Sequence, residues 1–160
     1  MEKKDLKPAG VFKYFEEICQ VPRPSKKEEK MIAYLKAFGA KHNLETKVDE
    51  AGNVLIKKPA TPGKENLQTV VLQSHIDMVC EKNNDVQHDF LTDPIETEID
   101  GEWLKAKGTT LGADNGIGVA TELAILADDS IEHGPLECLF TVDEETGHDY
   151  RSEERFSRNA

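Results

Sequence analysis

Three short segments of the sequence carry side chains that could bind a metal ion or move a proton. His75 and Asp77 follow an apolar run in "VVLQSHIDM", and Asp114 lies in the glycine-rich segment "LGADNGIG". The third segment, "TVDEETG", places adjacent carboxylates directly after another apolar run. Imidazole and carboxylate groups are ordinary ligands of zinc, and a carboxylate can also serve as a general base. A metal-dependent hydrolytic site is therefore one interpretation of the three segments.

His75 and Asp77 are two residues apart at the exit of a predicted strand. In an extended segment such residues share one face, so their side chains can be neighbours. A metal-bound imidazole usually donates its other N–H to a carboxylate, which fixes the orientation of the ring. Taken alone, His75 is more simply interpreted as a hydrogen-bonded core histidine.

Asp114 and the acidic run at 143–145 also have structural interpretations. Asp114 could be the N-cap of the helix that follows or a turn aspartate, or its carboxylate could bridge two cations from a glycine-rich turn. The acidic run could be a solvated turn, because charge runs usually face water. Alternatively, one glutamate of the run binds metal while its neighbour acts as a general base on water.

Composition limits the class of protein and its partners. The chain has 160 residues, 38% hydrophobic and 32% charged, as expected for one globular domain. Lys and Arg number 20 against 31 Asp and Glu, which gives a net charge of −11. This charge argues against nucleic acid or an anionic membrane as a partner, since both require a basic surface. It is compatible with a site that collects metal cations.

The sequence predicts a cytoplasmic protein. The N-terminal "MEKKDLKPAG" lacks the apolar stretch of a signal peptide, and no window reaches transmembrane length. Cys19, Cys80 and Cys138 are odd in number and far apart, which indicates reduced thiols. Cys80 as a metal ligand is the weaker alternative, because thiolate ligands normally come in clusters at zinc sites.

Two helices are predicted before the first strand. Apolar residues recur at helical spacing over residues 10–20, and the two prolines of "VPRPS" end this helix. Ser25 and Glu28 match a capping box that would open a second helix, with a buried apolar face over residues 31–38. This helix is predicted to end at Gly39 or at the polar residues just after it.

The rest of the pattern predicts strands around a further helix. Residues 44–56 alternate around the turn "DEAGN", and residues 95–106 alternate around Asp100-Gly101, so each stretch predicts a β-hairpin. The runs "TVVLQSH" and "LECLFTV" predict strands buried on both faces. The glycine-rich segment leads into the helix "VATELAILA", whereas residues 81–93 are polar and irregular. This order of elements predicts an α/β layered domain.

The three segments together resemble one family of metallopeptidases. "SHIDMVCEKN", "LGADNGIG" and "DEETG", in this order and spacing, are similar to segments of the aminoacyl-histidine dipeptidases. "FEEICQVPRPSKKEEK" resembles the N-terminal segment of the same subfamily, so the similarity covers nearly all of residues 10–147. These enzymes belong to the di-zinc metallopeptidases, which include carnosinases, desuccinylases and aminoacylases. The resemblance implies the N-terminal portion of a di-zinc exopeptidase catalytic domain, with a mixed sheet and flanking helices.

The resemblance also implies a role for each residue of the site. His75 would be the terminal ligand of one zinc, Asp77 the residue that orients it, and Asp114 the carboxylate that bridges both metals. Glu144 would be the general base, and Glu145 a terminal ligand of the other zinc. Asp143, the remaining aspartate of "DEETG", matches no catalytic role and is expected to be solvated or part of a turn.

The implied activity is hydrolysis of short peptides of the Xaa-His type. Two zinc ions about 3.5–4 Å apart would polarise the peptide carbonyl and lower the pKa of the water between them. Manganese and cobalt accept the same kinds of ligand. A deacylase or desuccinylase of the same family is an alternative that these motifs also allow. For the full-length family, the resemblance implies a homodimer.

The resemblance stops at Gly147. Residues 148–160, "HDYRSEERFSRNA", have no periodic apolar face, so we expect a partial catalytic domain over 1–147 and a polar tail produced by truncation or frameshift. A naturally short protein is the alternative. His148 is expected on the surface, as are the other histidines outside the motifs, namely His42, His88 and His133.

Family members supply one more carboxylate and one more histidine from beyond this point. The 160-residue chain is therefore expected to lack two metal ligands and to be inactive, with a non-catalytic fragment or binding module as the alternative function. It is also expected to be marginally stable, because cover for the strand "LECLFTV" would be missing.

Overall fold

The structure, a computed structural model, describes residues 3–146, with only the backbone described at Lys4. Gly147, His148 and the rest of the predicted tail lie outside the described residues. After a 3-10 turn, the helices are α1 (Ala9–Cys19), α2 (Glu29–Lys41) and α3 (Ala113–Ala127). The strands are β1 (Glu45–Val48), β2 (Val54–Lys58), β3 (Val70–His75), β4 (Thr97–Asp100), β5 (Trp103–Ala106) and β6 (Leu136–Thr141). Within this part of the chain, none of the helices combines the length and apolar character needed to cross a membrane.

The strands form a mixed sheet and a separate hairpin. The larger sheet has the order β1-β2-β6-β3, in which β3 and β6 are parallel and the other neighbours are antiparallel. The strands β4 and β5 pair with each other in an antiparallel hairpin. The α/β class, the mixed sheet and both predicted hairpins are therefore confirmed.

The core lies between the helices and one face of the larger sheet. Successive residues of a strand point to opposite faces, so every second side chain can enter this core. Ile56 and Phe140 form one apolar cluster with Phe15 of α1, Leu35 of α2 and Leu123 of α3. Burial of side chains of this size contributes about 1.5–3 kcal/mol each. This cluster fixes α3 against the sheet and so determines where the start of α3 lies.

Only one of the two strands predicted to be buried on both faces is so. β6 lies inside the sheet, and its neighbouring residues Leu139 and Phe140 are 5% and 0% exposed. β3 is at the edge of the described sheet, and Val70 and Val71 are 49% and 57% exposed. The prediction for the first half of β3 is wrong, because a short apolar run does not distinguish a central strand from an edge strand. The exposed apolar surface expected along β6 lies at the start of β3 instead.

The second helix begins later than the capping-box pattern predicts. Its first residue is Glu29, and no side chain caps its N-terminus. Ser25 Oγ instead donates to Asp77 Oδ2, and Glu28 Oε1 accepts the N–H of Asp143. The predicted capping box is wrong, because tertiary partners take both side chains.

Gly39 lies inside α2 rather than at its end. A Cβ at this position would lie 1.9 Å from Thr46 Oγ1, so the missing side chain lets β1 approach the helix. The helix continues to Lys41, and the polar residues after Gly39 mark its end. The second of the two predicted endings is the correct one.

The histidines predicted on the surface are half-buried where the structure describes them. The ring centroid of His42 is 4.4 Å from that of Phe38, and the ring of His88 is 4.4 Å from that of Phe90. Nδ1 of His133 lies 2.6 Å from a backbone carbonyl. The prediction for these residues is wrong, because each ring has local packing or hydrogen-bonding partners.

The three cysteines are free thiols, as predicted. Burial raises the pKa of Cys19 to about 12, so this thiol is neutral at physiological pH. Cys80 Sγ donates to the carbonyl of Met78, and within residues 3–146 Cys80 joins none of the groups that could hold a metal ion. The alternative of Cys80 as a metal ligand therefore finds no support among the described residues.

Candidate metal centre

Parallel pairing of β3 and β6 brings two of the predicted segments to one edge of the sheet. His75, the last residue of β3, pairs with Thr141, the last residue of β6. The residues after each strand therefore leave the sheet side by side. The helix α3 packs against β3 and presents Asp114 from its first turn. The carboxyl ends of parallel strands are the usual position of ligand sites in α/β sheets.

The His75 imidazole has acceptors at both ring nitrogens. Nδ1 lies 3.2 Å from the carbonyl oxygen of Asp77 and 3.2 Å from Asp77 Oδ1. Nε2 lies 3.0 Å from Asp114 Oδ1 and 3.8 Å from Glu144 Oε2. The spacing of His75 and Asp77 thus makes them neighbours, as predicted. With Nδ1 occupied by Asp77, Nε2 is the nitrogen that faces the other carboxylates.

The carboxylate of Asp77 is fully buried and joins several parts of the chain. Oδ1 accepts the N–H of Glu144 at 3.1 Å, and Oδ2 accepts the N–H of Glu145 at 3.1 Å. Oδ2 also accepts the hydroxyl of Ser25 at 2.7 Å. One side chain therefore connects the end of β3, the turn after β6 and the segment before α2.

Hydrogen bonding outweighs burial for both groups of this pair. Burial alone would raise the pKa of Asp77, but hydrogen bonds from His75, from Ser25 and from the backbone of the turn lower it to about 2. Burial would lower the pKa of His75, but its bonds to Asp77 and Asp114 raise it to about 9. The metal-free pair is therefore charged at neutral pH, and a cation that binds Nε2 displaces a proton.

The start of α3 aims Asp114 at His75. Gly112, the N-cap residue, has φ 69° and ψ 31°, a left-handed conformation that glycine adopts without steric cost. Asp114 and Asn115 depart from helical dihedral angles, and the peptide bond between them is cis. The interpretation of Asp114 as an N-cap is wrong, because Gly112 holds that position. The Asp114 side chain is 90% exposed and contacts His75.

The turn after β6 presents two glutamates to the same region. Glu144 Oε2 is 3.8 Å from His75 Nε2. Glu145 is half-buried, and burial raises its pKa, a rise that the charge of His75 opposes. The two adjacent residues thus lie on the side of His75 that also faces Asp114.

Asp143 belongs to the turn itself. Its φ is +57°, its N–H donates to Glu28 Oε1 at 2.9 Å, and its carboxylate accepts the hydroxyl of Thr146. Carboxylate oxygens of Glu28, Asp77 and Asp143 also lie within 4.8 Å of one another. Glu28 and Asp77 accept backbone N–H groups of this turn, which explains why they are close. The turn interpretation of Asp143 agrees with the structure.

The donor set around His75 fits a divalent cation. One ligand atom from each of His75, Asp114 and Glu145 lies within 4.8 Å of the other two. Two ligands of one tetrahedral zinc ion are about 3.4 Å apart, so a modest contraction would complete such a site. An imidazole with two carboxylates is also a common ligand set of catalytic zinc. The described residues therefore offer three ligands to one ion, whereas the resemblance divides them between two.

An open cleft of about 400 Å³ adjoins the cluster. Asp114 and Glu145 line it together with Val79, Leu111 and Thr110. An apolar wall beside a few polar groups is the usual composition of a small-molecule site. The cleft gives a ligand access to the exposed side of the cluster.

Arg23, Ser25 and Glu28 contact the site, although the sequence pattern assigned none of them to it. The capping-box pattern gave Ser25 and Glu28 a capping role at the start of α2, but no side chain caps this helix, although Glu28 is its N-cap residue. Arg23 is 2% exposed and donates to the carbonyl of Ile76 at 3.1 Å. The sequence carries one indication for Arg23. This charged residue lies between two prolines, so it cannot be assigned to the exposed face of a helix.

An α/β domain with an imidazole–carboxylate cluster at the carboxyl ends of parallel strands is typical of metal-dependent hydrolases. The profile of the family described as "Peptidase family M20/M25/M40" matches residues 71–157, more than half of the chain. The chain belongs to this peptidase family, which implies a divalent metal. The matched range extends past Gly147, the domain boundary predicted from the sequence, and that boundary stays a prediction.

Individual proteins similar to this chain are also peptidases, and two of them are dipeptidases. The chain is 52% identical over 148 residues to the cytosol non-specific dipeptidase of Escherichia coli strain K12, covering 92% of this chain and 30% of the relative. The aminoacylhistidine dipeptidase of Vibrio alginolyticus is 54% identical with a TM-score of 0.89, covering 92% of this chain and 30% of that one. Aminopeptidase PepT of Bacillus cereus is 25% identical with a TM-score of 0.71, covering 86% and 37%.

These comparisons confirm the resemblance to aminoacyl-histidine dipeptidases. The chain spans about 30% of the length of the first two relatives. Its fold matches the corresponding part of the solved dipeptidase.

Proposed function

We propose that the protein hydrolyses dipeptides, including those of the Xaa-His type, with a divalent metal site and Glu144 as general base. The observation that supports this most directly is the convergence of three loops. They bring ligand atoms of His75, Asp114 and Glu145 within 4.8 Å of one another, with Glu144 Oε2 3.8 Å from His75 Nε2. The names of the relatives, a non-specific dipeptidase and an aminoacylhistidine dipeptidase, support the substrate class.

The proposed ligands are His75 through Nε2 and the carboxylates of Asp114 and Glu145. A bound divalent ion would polarise the peptide carbonyl and lower the pKa of water. Zinc is the proposed metal, because imidazole and carboxylate ligands suit it, and manganese or cobalt could replace it. Two such ions, with Asp114 between them, remain the proposal for the full-length protein.

Glu144 and Asp77 have distinct proposed roles. Glu144 accepts a proton from the attacking water and passes it to the leaving amine. Asp77 accepts from His75 Nδ1 and so orients the ring, while it also holds the N–H groups of Glu144 and Glu145. In this proposal, one carboxylate supports both the general base and the metal-binding histidine.

The resemblance to dipeptidases also supports a compartment and an oligomeric state. We propose a cytoplasmic homodimer for the full-length protein, and the name of the Escherichia coli relative, a cytosol dipeptidase, supports the compartment. Light scattering of the full-length protein measures the assembly. A monomer in solution would contradict it.

The activity test uses a chimaera, because the chain spans about 30% of its relatives. Residues 1–146 replace the corresponding segment of the Escherichia coli dipeptidase, and the chimaera is assayed beside the 160-residue chain. The substrate panel contains Xaa-His dipeptides, other dipeptides and N-acyl amino acids, each with zinc, manganese or cobalt. We expect dipeptide hydrolysis by the chimaera and none by the 160-residue chain. Preference for N-acyl amino acids would instead identify a deacylase.

Two matched variants test the general base. Glu144→Gln should lower kcat of the chimaera by about 100- to 10,000-fold, because general acid–base catalysis contributes rate factors of that size. Asp143→Asn, one residue earlier, should leave kcat within a few-fold. Equal losses in both variants would refute Glu144 as the base. A fully active chimaera carrying Glu144→Gln would have the same consequence.

A further inference from the structure

A buried guanidinium lies against the loops that carry the proposed metal ligands. Arg23 is 2% exposed. Its Nη1 donates to the carbonyls of Ile76 at 3.1 Å and Asp77 at 3.4 Å, and its Nη2 donates to the carbonyl of Gly112 at 2.7 Å. Within residues 3–146 no carboxylate forms an ion pair with Arg23. Its guanidinium therefore donates to backbone carbonyls of two different loops.

Both loops are those that position proposed ligands. The Asp77 carbonyl that accepts from Arg23 also lies 3.2 Å from His75 Nδ1. Gly112 is the cap of α3, two residues before Asp114. The backbone of Arg23 adds a further link, because its carbonyl accepts the N–H of Met78 at 3.1 Å. One residue thus connects the backbone beside His75 to the backbone beside Asp114.

The glycines of "LGADNGIG" leave room for this guanidinium. A Cβ at Gly112 would lie 2.6 Å from Arg23 Nη2, and one at Gly116 would lie 2.7 Å from the same atom. Both distances are shorter than real Cβ contacts, so any side chain at these positions would displace the arginine. The glycine-rich segment therefore accommodates Arg23 as well as the turn itself.

We propose that Arg23 is a positioning residue that holds His75 and Asp114 at the separation required for the metal. The proposal rests on the metal site of the proposed function. An arginine is needed because its planar fork donates in two directions at once, whereas a lysine offers one compact ammonium group. Within residues 3–146, Arg23 forms no hydrogen bond with the side chain of His75, Asp114 or Glu145, so its effect passes through the two backbone segments.

Lys58 provides a matched control within the same chain. It is 8% exposed, and its Nζ donates to the carbonyls of Ile125 at 3.1 Å and Asp128 at 2.7 Å. It pairs with Leu136 at the start of β6, at the opposite end of the sheet from His75. Lys58 is therefore a second buried cation bonded to backbone carbonyls, but it is remote from the cluster.

The first measurement needs no metal. Amide hydrogen exchange of the metal-free 160-residue chain is followed by mass spectrometry for the wild type, Arg23→Lys and Lys58→Met. Arg23→Lys should accelerate exchange by tenfold or more in residues 75–80 and 112–118, without acceleration in β2. Lys58→Met should accelerate exchange at the end of α3 and leave the two loops unchanged. Unchanged exchange in both loops of Arg23→Lys would overturn the proposal.

The second measurement is cobalt binding, with the visible absorption spectrum as a signature of ligand geometry. Arg23→Lys should weaken cobalt affinity by about 10- to 100-fold, the usual effect of losing a residue that supports metal ligands, and should alter the spectrum. Lys58→Met should bind within twofold of the wild type. Wild-type affinity and spectrum in Arg23→Lys would contradict the proposal. Lys58→Met is the control for stability, because a general loss of stability would affect both variants.

A further variant keeps the test decisive if Arg23→Lys folds poorly. Gly116→Ala retains the charge of Arg23 but places a Cβ against Nη2. It should reproduce the loss of cobalt affinity, and it should add no further loss to that of Arg23→Lys in the double variant. Additive losses would show that the two residues act separately. If the wild-type 160-residue chain binds no cobalt, binding is measured in the chimaera. A chimaera that binds no cobalt would refute the proposed metal function, and hydrogen exchange of the metal-free chain would then decide the role of Arg23.

Discussion

Three carboxyl groups are buried among the described residues, those of Glu28, Asp77 and Glu122, and the surroundings of the last two differ most clearly. Asp77, at the end of β3, is 0% exposed, and Glu122, on the sheet-facing side of α3, is 3% exposed. Asp77 accepts hydrogen bonds from Ser25 and two backbone N–H groups. Within the described part of the chain, Glu122 Oε2 has no hydrogen-bond partner. Burial raises the pKa of Glu122 to about 8 against the smaller effect of Ser74 and Cys138, whereas the pKa of Asp77 is about 2.

The comparison shows that burial alone does not decide the charge of a carboxyl group. Donors that point at the oxygens stabilise the ionised form, and without them the group remains protonated. The site end of the sheet supplies such donors because three loops converge there. The interface between α3 and the sheet supplies mainly apolar neighbours, so Glu122 is neutral at neutral pH. Four substitutions, with Ser25→Ala and Leu139→Ala as controls, separate the effects of burial and of hydrogen bonding.

The largest effect is expected for Asp77→Asn. This change keeps the shape, but an amide NH₂ group must then face N–H or O–H donors in the buried site. Loss of one partner from a buried charged pair typically costs about 3–5 kcal/mol. We expect a loss of that size in the free energy of unfolding, measured by urea denaturation at pH 7. Zinc affinity, measured by calorimetry, should fall by about 10- to 100-fold.

Ser25→Ala is the control for this prediction. It removes one of the donors to Asp77 and leaves the charge and the backbone donors in place. The expected loss in the free energy of unfolding is about 1.5–3 kcal/mol, the usual value for a hydrogen bond to a charged group. An Asp77→Asn chain as stable as the wild type would show that the carboxylate is not ionised in the folded protein.

Glu122→Gln should produce the next largest effect, and only at high pH. The pKa of Glu122 is raised in the folded state, so the folded chain binds one more proton than the unfolded chain between about pH 4.5 and 8. The stabilisation is complete below pH 4.5 and is lost as the pH rises towards 8. The difference between pH 5 and pH 8 should be on the order of 2–4 kcal/mol in the wild type.

Urea denaturation at several pH values from 5 to 8 measures this dependence. Glu122→Gln removes the titrating group, so the variant should lack this contribution and should exceed the wild type in stability at pH 8. The Asp77→Asn chain, in which Glu122 is intact, should retain it. The same slope with and without Glu122 would refute the assignment of the raised pKa to this residue.

The difference between the two regions also shows what could be predicted from the sequence. His75, Asp114 and Glu145 could be found, because each follows an apolar run or a glycine-rich turn and their order matches a known family. Glu122 lies within the apolar run "VATELAILA", where a helical pattern gives no indication of which neighbours a carboxyl group has. Its burial depends on the packing of α3 against β3, which the sequence does not encode locally.

Ser25 shows a second reason for failure. The pattern from Ser25 to Glu28 satisfies the local rule for a capping box, so local propensity and tertiary contact competed for the same side chains. The tertiary contacts prevailed, since Ser25 bonds to Asp77 and Glu28 to the turn after β6. A similar limit applies to β3, whose apolar residues could not distinguish an edge strand from a central one.

Asp49→Ala should have a smaller effect, because Asp49 is well bonded but only half-buried. Its Oδ1 accepts the N–H groups of Ala51, Gly52 and Asn53, and its Oδ2 accepts the side-chain amide of Asn53. Loss of a capping carboxylate of this kind costs about 0.5–2 kcal/mol. Urea denaturation should show a loss in that range. A loss as large as that of Asp77→Asn would mean that hydrogen bonding, and not burial, determines how much a carboxylate contributes to the free energy of unfolding.

The smallest effect is expected for Val71→Lys, which places a charge at an exposed position of the edge strand, beside Glu137 of β6. Val71 is 57% exposed on the edge strand β3, so the lysine can remain in water and its charge pays no desolvation cost. The free energy of unfolding should change by less than about 0.5 kcal/mol, as for most surface substitutions. Binding of a hydrophobic dye should decrease, because Val70 and Val71 are exposed apolar residues at the start of this strand. Leu139→Ala, at a position that is 5% exposed on β6, is the matched control and should lower the free energy of unfolding by about 2–5 kcal/mol. A loss of several kcal/mol in Val71→Lys would show that the edge of β3 is covered in solution, and the apolar surface assigned to it would not exist.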